Sequence, residues 1–261
     1  MPCRTIAVAN QKGGTGKTTT TLSLGVALAE KGKRVLLVDT DPQGDLTKCL
    51  GWTEPDSLEL TLADHIQAVI DGRELDSREG ILSHAEGVDL MPANINLAGI
   101  EMPIFMAMSR ERILSTWLEP LKRIYDFVIF DCAPTLGIIP VNALVASDSV
   151  LVPVSAEYLP AYAMTCLLET VGRVRRQINP TLEVEGILIT LFSTRNNLSK
   201  EIDKTIRLQY GGTYRVFETI IPRAVSAAET AAMGVSIFKY DRRGKVASAF
   251  ARLADEVMCD E

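Results

Sequence analysis

The sequence predicts an α/β fold: a doubly wound, mostly parallel sheet flanked by helices. Two observations carry that expectation. Short β-branched and leucine-rich runs alternate with segments of helical period along the whole chain, and a glycine-rich turn joins the first such run to the first helix. Strands are expected near 4–9, 34–38, 88–91, 127–131, 149–154, 184–191 and 216–220, with helices between them. Runs such as Arg34-Val35-Leu36-Leu37-Val38 are apolar without alternation, as a parallel strand covered on both faces requires. Residues 53–86 are acidic and less regular, with Thr61-Leu62-Ala63-Asp64 opening a helix. In the last helix Val246, Ala249, Phe250, Leu253 and Val257 form one stripe, a core-packing pattern. No repeat, low-complexity tract or linker divides the chain, so residues 1–261 are expected to form one domain.

The turn after the first strand reads Asn10-Gln11-Lys12-Gly13-Gly14-Thr15-Gly16-Lys17-Thr18-Thr19. Its end, Gly16-Lys17-Thr18, fits the phosphate-binding pattern G-x-x-x-x-G-K-[ST], but Gln11 stands where that pattern begins with glycine. The narrower form K-G-G-x-G-K-[ST] matches completely. Glycines let successive N–H groups turn inward on phosphate oxygens. Lys17 then reaches the β- and γ-phosphates, and the Thr18 hydroxyl is placed to ligate Mg²⁺. Leu22, Val26 and Ala29 recur at helical spacing, so the loop opens a helix whose N-terminus favours anions. The second lysine, Lys12, either sits in solvent or reaches across to a neighbouring subunit's nucleotide, as a finger supplied in trans.

Two further strands end in carboxylates. Val38 runs into Asp39-Thr40-Asp41-Pro42-Gln43-Gly44, and Tyr125-Asp126-Phe127-Val128-Ile129-Phe130 runs into Asp131. Ligands of open α/β sheets bind beyond the carboxyl ends of the strands, so Asp39, Asp41 and Asp131 are expected to converge on the loop. A carboxylate there holds Mg²⁺ directly or through water; taken singly, each is equally a turn or N-cap aspartate.

These segments resemble the deviant-Walker ATPases of the ParA/MinD group of P-loop NTPases, most closely the short, Soj-like ParA partition ATPases. The resemblance spans nearly the whole chain through NQKGGTGKTTT, VLLVDTDPQGDLT, YDFVIFDCAPTLG, TRNNLSKEI, ETIIPRAV and IFKYDRRGKVASAFARLADEV. It implies a slow, partner-stimulated ATP hydrolase with ATP and Mg²⁺ as cofactors. Gly13, Gly14, Thr15, Gly16, Lys17, Thr18 and Thr19 would hold the phosphates, with Thr18, Asp39 and Asp131 in the metal shell. Lys12 would act across an ATP-sandwich homodimer, Asp41 would position or activate the attacking water, and the loops around Thr190–Phe192 and Pro222–Arg223 would flank the base. The implied partners are non-specific double-stranded DNA and a ParB-like centromere-binding protein, in a cytoplasmic, nucleoid-associated setting. The sequence departs from the family pattern at Thr15, at Asp45 and at Ser226, where many relatives carry a DNA-contacting arginine. With the loop starting at residue 12, no helix-turn-helix module is expected ahead of it.

The charge distribution bears on DNA. The chain carries −6 overall, yet residues 173–252 hold 14 Lys/Arg against 7 Asp/Glu, a net +7 that leaves −13 for the remainder. Such an asymmetry is either a set of solvated helix faces or a footing for phosphate backbone, and the resemblance favours the second. Arg195 lies where relatives place a DNA-contacting arginine; Lys200, Lys204, Arg207 and Arg223 are further candidates.

Other function classes find less support. A MinD-like ATPase acting on a membrane wants a basic amphipathic C-terminal helix, whereas this chain ends Asp255-Glu256-Val257-Met258-Cys259-Asp260-Glu261. A cargo-positioning ATPase working on a protein assembly stays as the alternative. An iron–sulfur reductase needs two placed thiolates, and only Cys132, after Asp131, has suitable context among five scattered cysteines. Those cysteines form no C-x-x-C pair and point to a reducing compartment. No guanine-specific [NT]-K-x-D motif, signal peptide or membrane-length apolar run is present. Met102, Met106 and Met108, around Phe105 and Ile113, read as core filling or as a partner-facing surface. His65 and His84 read as isolated surface or helix residues.

Overall fold

A computed structural model describes residues 2–156 and 161–259. Seven strands form one sheet: β1 (Arg4–Val8), β2 (Val35–Thr40), β3 (Leu82–Ser83), β4 (Val88–Met91), β5 (Phe127–Cys132), β6 (Ser149–Ser155) and β7 (Glu183–Thr190). Their order is β3-β4-β2-β5-β1-β6-β7, parallel throughout except for the β3–β4 hairpin. The first three helices are α1 (Lys17–Glu30), α2 (Asp45–Cys49) and α3 (Leu62–Asp71). The next four are α4 (Asn96–Gly99), α5 (Glu101–Met106), α6 (Ile113–Leu118) and α7 (Ile138–Ala146). The last five are α8 (Ala161–Gln177), α9 (Asn197–Tyr210), α10 (Ser226–Met233), α11 (Ile237–Tyr240) and α12 (Lys245–Met258).

The period-2 pleat divides the strand residues between two cores. Leu36, Val38, Val128 and Phe130 pack with α3 to α9, whereas Val35, Leu37, Phe127 and Ile129 pack with α1, α2, α11 and α12. The stripe Val246, Ala249, Phe250, Leu253 and Val257 of α12 is buried in the second core. Asp260 and Glu261, from the acidic terminus, lie outside the described residues. No helix among the described residues is long and apolar enough to cross a membrane.

The structure departs from the sequence reading in three places. The expected strand at 216–220 is not a regular strand: Val216 and Pro222 make isolated parallel bridges to Ile187 and Phe192, because the segment touches the β7 edge only through scattered backbone bonds. The two-residue β3 carries no periodicity to detect. Met102, Met106 and Met108 are 68%, 83% and 95% exposed, which rules out core filling. His65 is a helix residue, as one of its two readings had it, buried on α3 with its Nε2 at 2.8 Å from the Glu79 carbonyl.

One glycine pair locks two functional segments together. Gly51, just after α2, and Gly234, the C-cap of α10 at φ 64°, meet backbone to backbone. A Cβ on Gly234 would lie 2.6 Å from the Gly51 Cα. Gly234→Ala combines that clash with a left-handed backbone, so it should cost about 2 kcal/mol or more, read as a lowered urea midpoint at unchanged slope.

Candidate nucleotide site

The site lies where β1, β2 and β5 end. β1 gives way to a loop in which Gly14 (φ 71°) and Gly16 (φ 81°) take left-handed backbone, and Gly16 caps the N-terminus of α1. Polar bonds from β6 and β7 hold this loop. The Asn10 side chain donates to the Pro153 carbonyl at 2.7 Å and accepts from the Lys12 N–H at 3.0 Å. The Thr190 hydroxyl donates to the Thr15 carbonyl at 2.8 Å. Sequence reasoning assigned no role to Asn10, although its place at the strand end is a signal for such a brace.

Lys17 is 8% exposed and points back into the loop, its Nζ donating to the Lys12 carbonyl at 3.3 Å. Burial lowers its pKa, and the nearby Asp131 opposes that shift. Asp39 and Asp131 face each other in register across β2 and β5, and both are buried. Burial, then the neighbouring Asp39, pushes Asp131 up to about 8, against a hydrogen bond from Thr18 and the charge of Lys17. Thr21 adds a 3.4 Å bond to Asp131. Burial likewise lifts Asp39 to about 7. Its Oδ2 accepts from the Thr47 N–H (2.9 Å) and hydroxyl (2.7 Å), and its Oδ1 from the Asp41 N–H (3.1 Å).

The three predicted carboxylates therefore converge, but on different duties. Asp39 is engaged with α2 and with the turn that carries Asp41, which leaves Asp131 and Thr18 as the pair facing Lys17. Asp41 is half-exposed and accepts from the Gln43 N–H at 3.0 Å. Thr47 was not singled out from the sequence, yet it joins Asp39 to the chain after β4 by accepting from the Ala93 N–H at 3.2 Å. Burial drives the Cys132 thiol up to about 12, so it is protonated and a poor metal ligand.

Beside the loop lies a cavity of about 330 Å³, lined by Gly14, Gly16, Thr19, Thr20, Thr190, Leu191 and the run Ile221 to Ala224, with Phe250 behind. Pro222 and Arg223 thus line this cavity. The buried Thr20 hydroxyl in its wall has no hydrogen-bond partner. Mg²⁺ and a nucleotide fit these residues: a left-handed glycine loop at a helix N-terminus, a buried ammonium, a hydroxyl beside a carboxyl held above its usual range, and an apolar slot. Among the described residues, no group of three or more His, Cys, Asp or Glu could hold a metal ion.

Of the DNA candidates, Arg195 is exposed just before α9, and Lys200 and Lys204 are exposed on it. Arg207 is instead engaged with Asp203 (2.8 Å) and the Phe217 carbonyl (3.0 Å). Arg223 is exposed at the cavity mouth.

Comparison with known proteins agrees with this geometry. A family model described as an AAA domain matches residues 3–184. The chain is 41% identical over 252 residues to the sporulation initiation inhibitor protein Soj of Bacillus subtilis, covering 97% of each. It is 37% identical over 262 residues to the chromosome partitioning protein ParA of Caulobacter vibrioides, covering 100% of this chain and 96% of the other. The chain belongs to the ParA/Soj family of P-loop ATPases. Among solved structures, one described as cobyrinic acid a,c-diamide synthase from Mycobacterium smegmatis, with bound ADP and magnesium, superposes with a TM-score of 0.84. It is 36% identical, and the match covers 97% of this chain and 93% of that one.

The buried carboxyls make the ligand-free protein pH-sensitive. Both folded-state pKa values lie above the usual carboxylate range, so the folded state binds more protons than the unfolded state between about pH 4 and pH 8. Stability should therefore fall as pH rises through that window. Asp131→Asn should flatten the dependence, measured by urea titration at each pH without nucleotide.

Proposed function

We propose that this chain is a Mg²⁺-dependent ATPase that closes into a homodimer around ATP and in that state binds DNA non-specifically. It would move a DNA cargo with a ParB-like partner that stimulates hydrolysis, working in the cytoplasm on the nucleoid. The observation that carries this reading is the Lys12/Lys17 loop set against Asp131 and Asp41, in a chain 41% identical to Soj and 37% identical to ParA. Lys17 and the loop N–H groups would hold the phosphates, and Thr18 with Asp131 would hold Mg²⁺, with Asp39 behind them organising the shell. The metal would supply charge neutralisation on the phosphates. Asp41, half-exposed on a turn anchored by Asp39, would orient a water, and Lys12 would serve the nucleotide of a second protomer.

Arg195, Lys200 and Lys204 would contact phosphate backbone without reading sequence. Arg223 would close over the base, and Arg207 would brace α9 through Asp203 rather than meet DNA. A membrane-acting alternative gains nothing from α12, whose apolar stripe is buried. The exposed Met102, Met106 and Met108 are a surface for a protein partner.

The test is retention of the purified protein on unrelated duplexes with no nucleotide, ADP or ATP, across a salt series. Retention that needs ATP, ignores sequence and weakens with salt is expected; equal retention in all three states would contradict the switch. In the same assay Asp41→Ala should keep ATP-dependent retention while hydrolysis drops at least about 100-fold. Normal turnover by that variant would remove Asp41 from the water-positioning role.

A further inference from the structure

Away from the nucleotide site, a groove of about 600 Å³ runs between the C-terminal half of α8 and the end of α9. Arg173, Arg176, Tyr210 and Tyr214 line it, and Glu169 is the acid in its wall. Both arginines are exposed and have no ion pair among the described residues, and neither tyrosine hydroxyl has a hydrogen bond there. The arrangement is built by the fold. A turn through Gly211-Gly212 folds the chain back, with the Tyr214 N–H donating to the Tyr210 carbonyl at 2.8 Å, so the two rings come from one tight bend. Both rings pack partly against the core, which fixes them at low entropic cost. Gly172 leaves the surface of α8 bare: a Cβ there would come within 3.3 Å of the Arg176 Nη1, so the guanidinium lies back along the helix.

A run of arginines at a helix C-terminus complements the helix dipole, and that alone would account for their presence. It does not account for two phenol hydroxyls held beside them without partners. Guanidinium and phenol donors around an open groove match the oxygens of a phosphodiester chain. We infer that the α8–α9 groove is a second DNA-backbone contact in each protomer, engaged through Arg173, Arg176, Tyr210 and Tyr214. It adds to Arg195, Lys200 and Lys204 on the same helical layer, in a chain whose α10 begins with the uncharged Ser226. This inference rests on the DNA-binding reading above.

The experiment compares wild type, Arg173→Glu/Arg176→Glu, Tyr210→Phe/Tyr214→Phe and Arg195→Glu in ATP, with DNA retention followed over a salt series. The charge-reversal variant should lose affinity, and its plot of log affinity against log salt should flatten by about one to two per protomer. The phenylalanine pair, which keeps the packing, should weaken retention several-fold with little change in slope. ATP hydrolysis without DNA should be unchanged in both. If wild type binds and Arg195→Glu weakens it, while both groove variants match wild type in affinity and slope, the groove inference is wrong. Groove variants that keep DNA but lose stimulation by an acidic protein partner would assign the groove to that partner and overturn it equally. If wild type itself retains no DNA, the parent reading fails first.

Discussion

The site depends on a buried ammonium facing buried carboxyls. Lys17 is enclosed by its own loop and sits beside Asp131, which pairs in register with Asp39 at the ends of neighbouring strands. Each of these groups is costly to keep ionised away from water. Together they shift one another, and the carboxyls take up protons where the charge is not balanced. The parallel sheet makes this possible, since it delivers β1, β2 and β5 side by side with their carboxyl ends on one edge.

The same residues tie the chemistry to distant elements. Asp39 holds Thr47, Thr47 fixes the start of α2 against the chain after β4, and α2 ends at Gly51 in backbone contact with Gly234. Gly234 closes α10, whose other end follows Pro222 and Arg223 at the cavity beside the loop. Short contacts thus link the Asp41 turn to that cavity, with backbone packed on backbone at Gly51 and Gly234.

Much of this was legible in the sequence for physical reasons. Apolar runs buried on both faces, such as Val35 to Val38, announce parallel strands, and the loop ending Gly16-Lys17-Thr18, with left-handed Gly14 and Gly16, has few other uses. The alignment of Asp39 with Asp131 followed from the rule for strand ends. What stayed hidden were bonds between residues far apart in the chain: Asn10 to Pro153, Thr190 to Thr15, Thr47 to Ala93. Polar residues carry no periodicity that names a partner. For the same reason Arg207 looked like a DNA contact until Asp203 and the Phe217 carbonyl were seen to hold it. The 216–220 segment has strand composition but meets β7 only at single bridges, a matter of tertiary placement.

The proposed switch needs Lys12 to serve the nucleotide of a second protomer while Lys17 turns inward on its own loop. Light scattering of the wild type and of Lys12→Ala, each with Mg²⁺ and either ADP or ATP, tests it most directly. The wild type should double in mass with ATP alone, and Lys12→Ala should bind ATP yet remain a monomer. A Lys12→Ala protein that dimerises with ATP as the wild type does would contradict it.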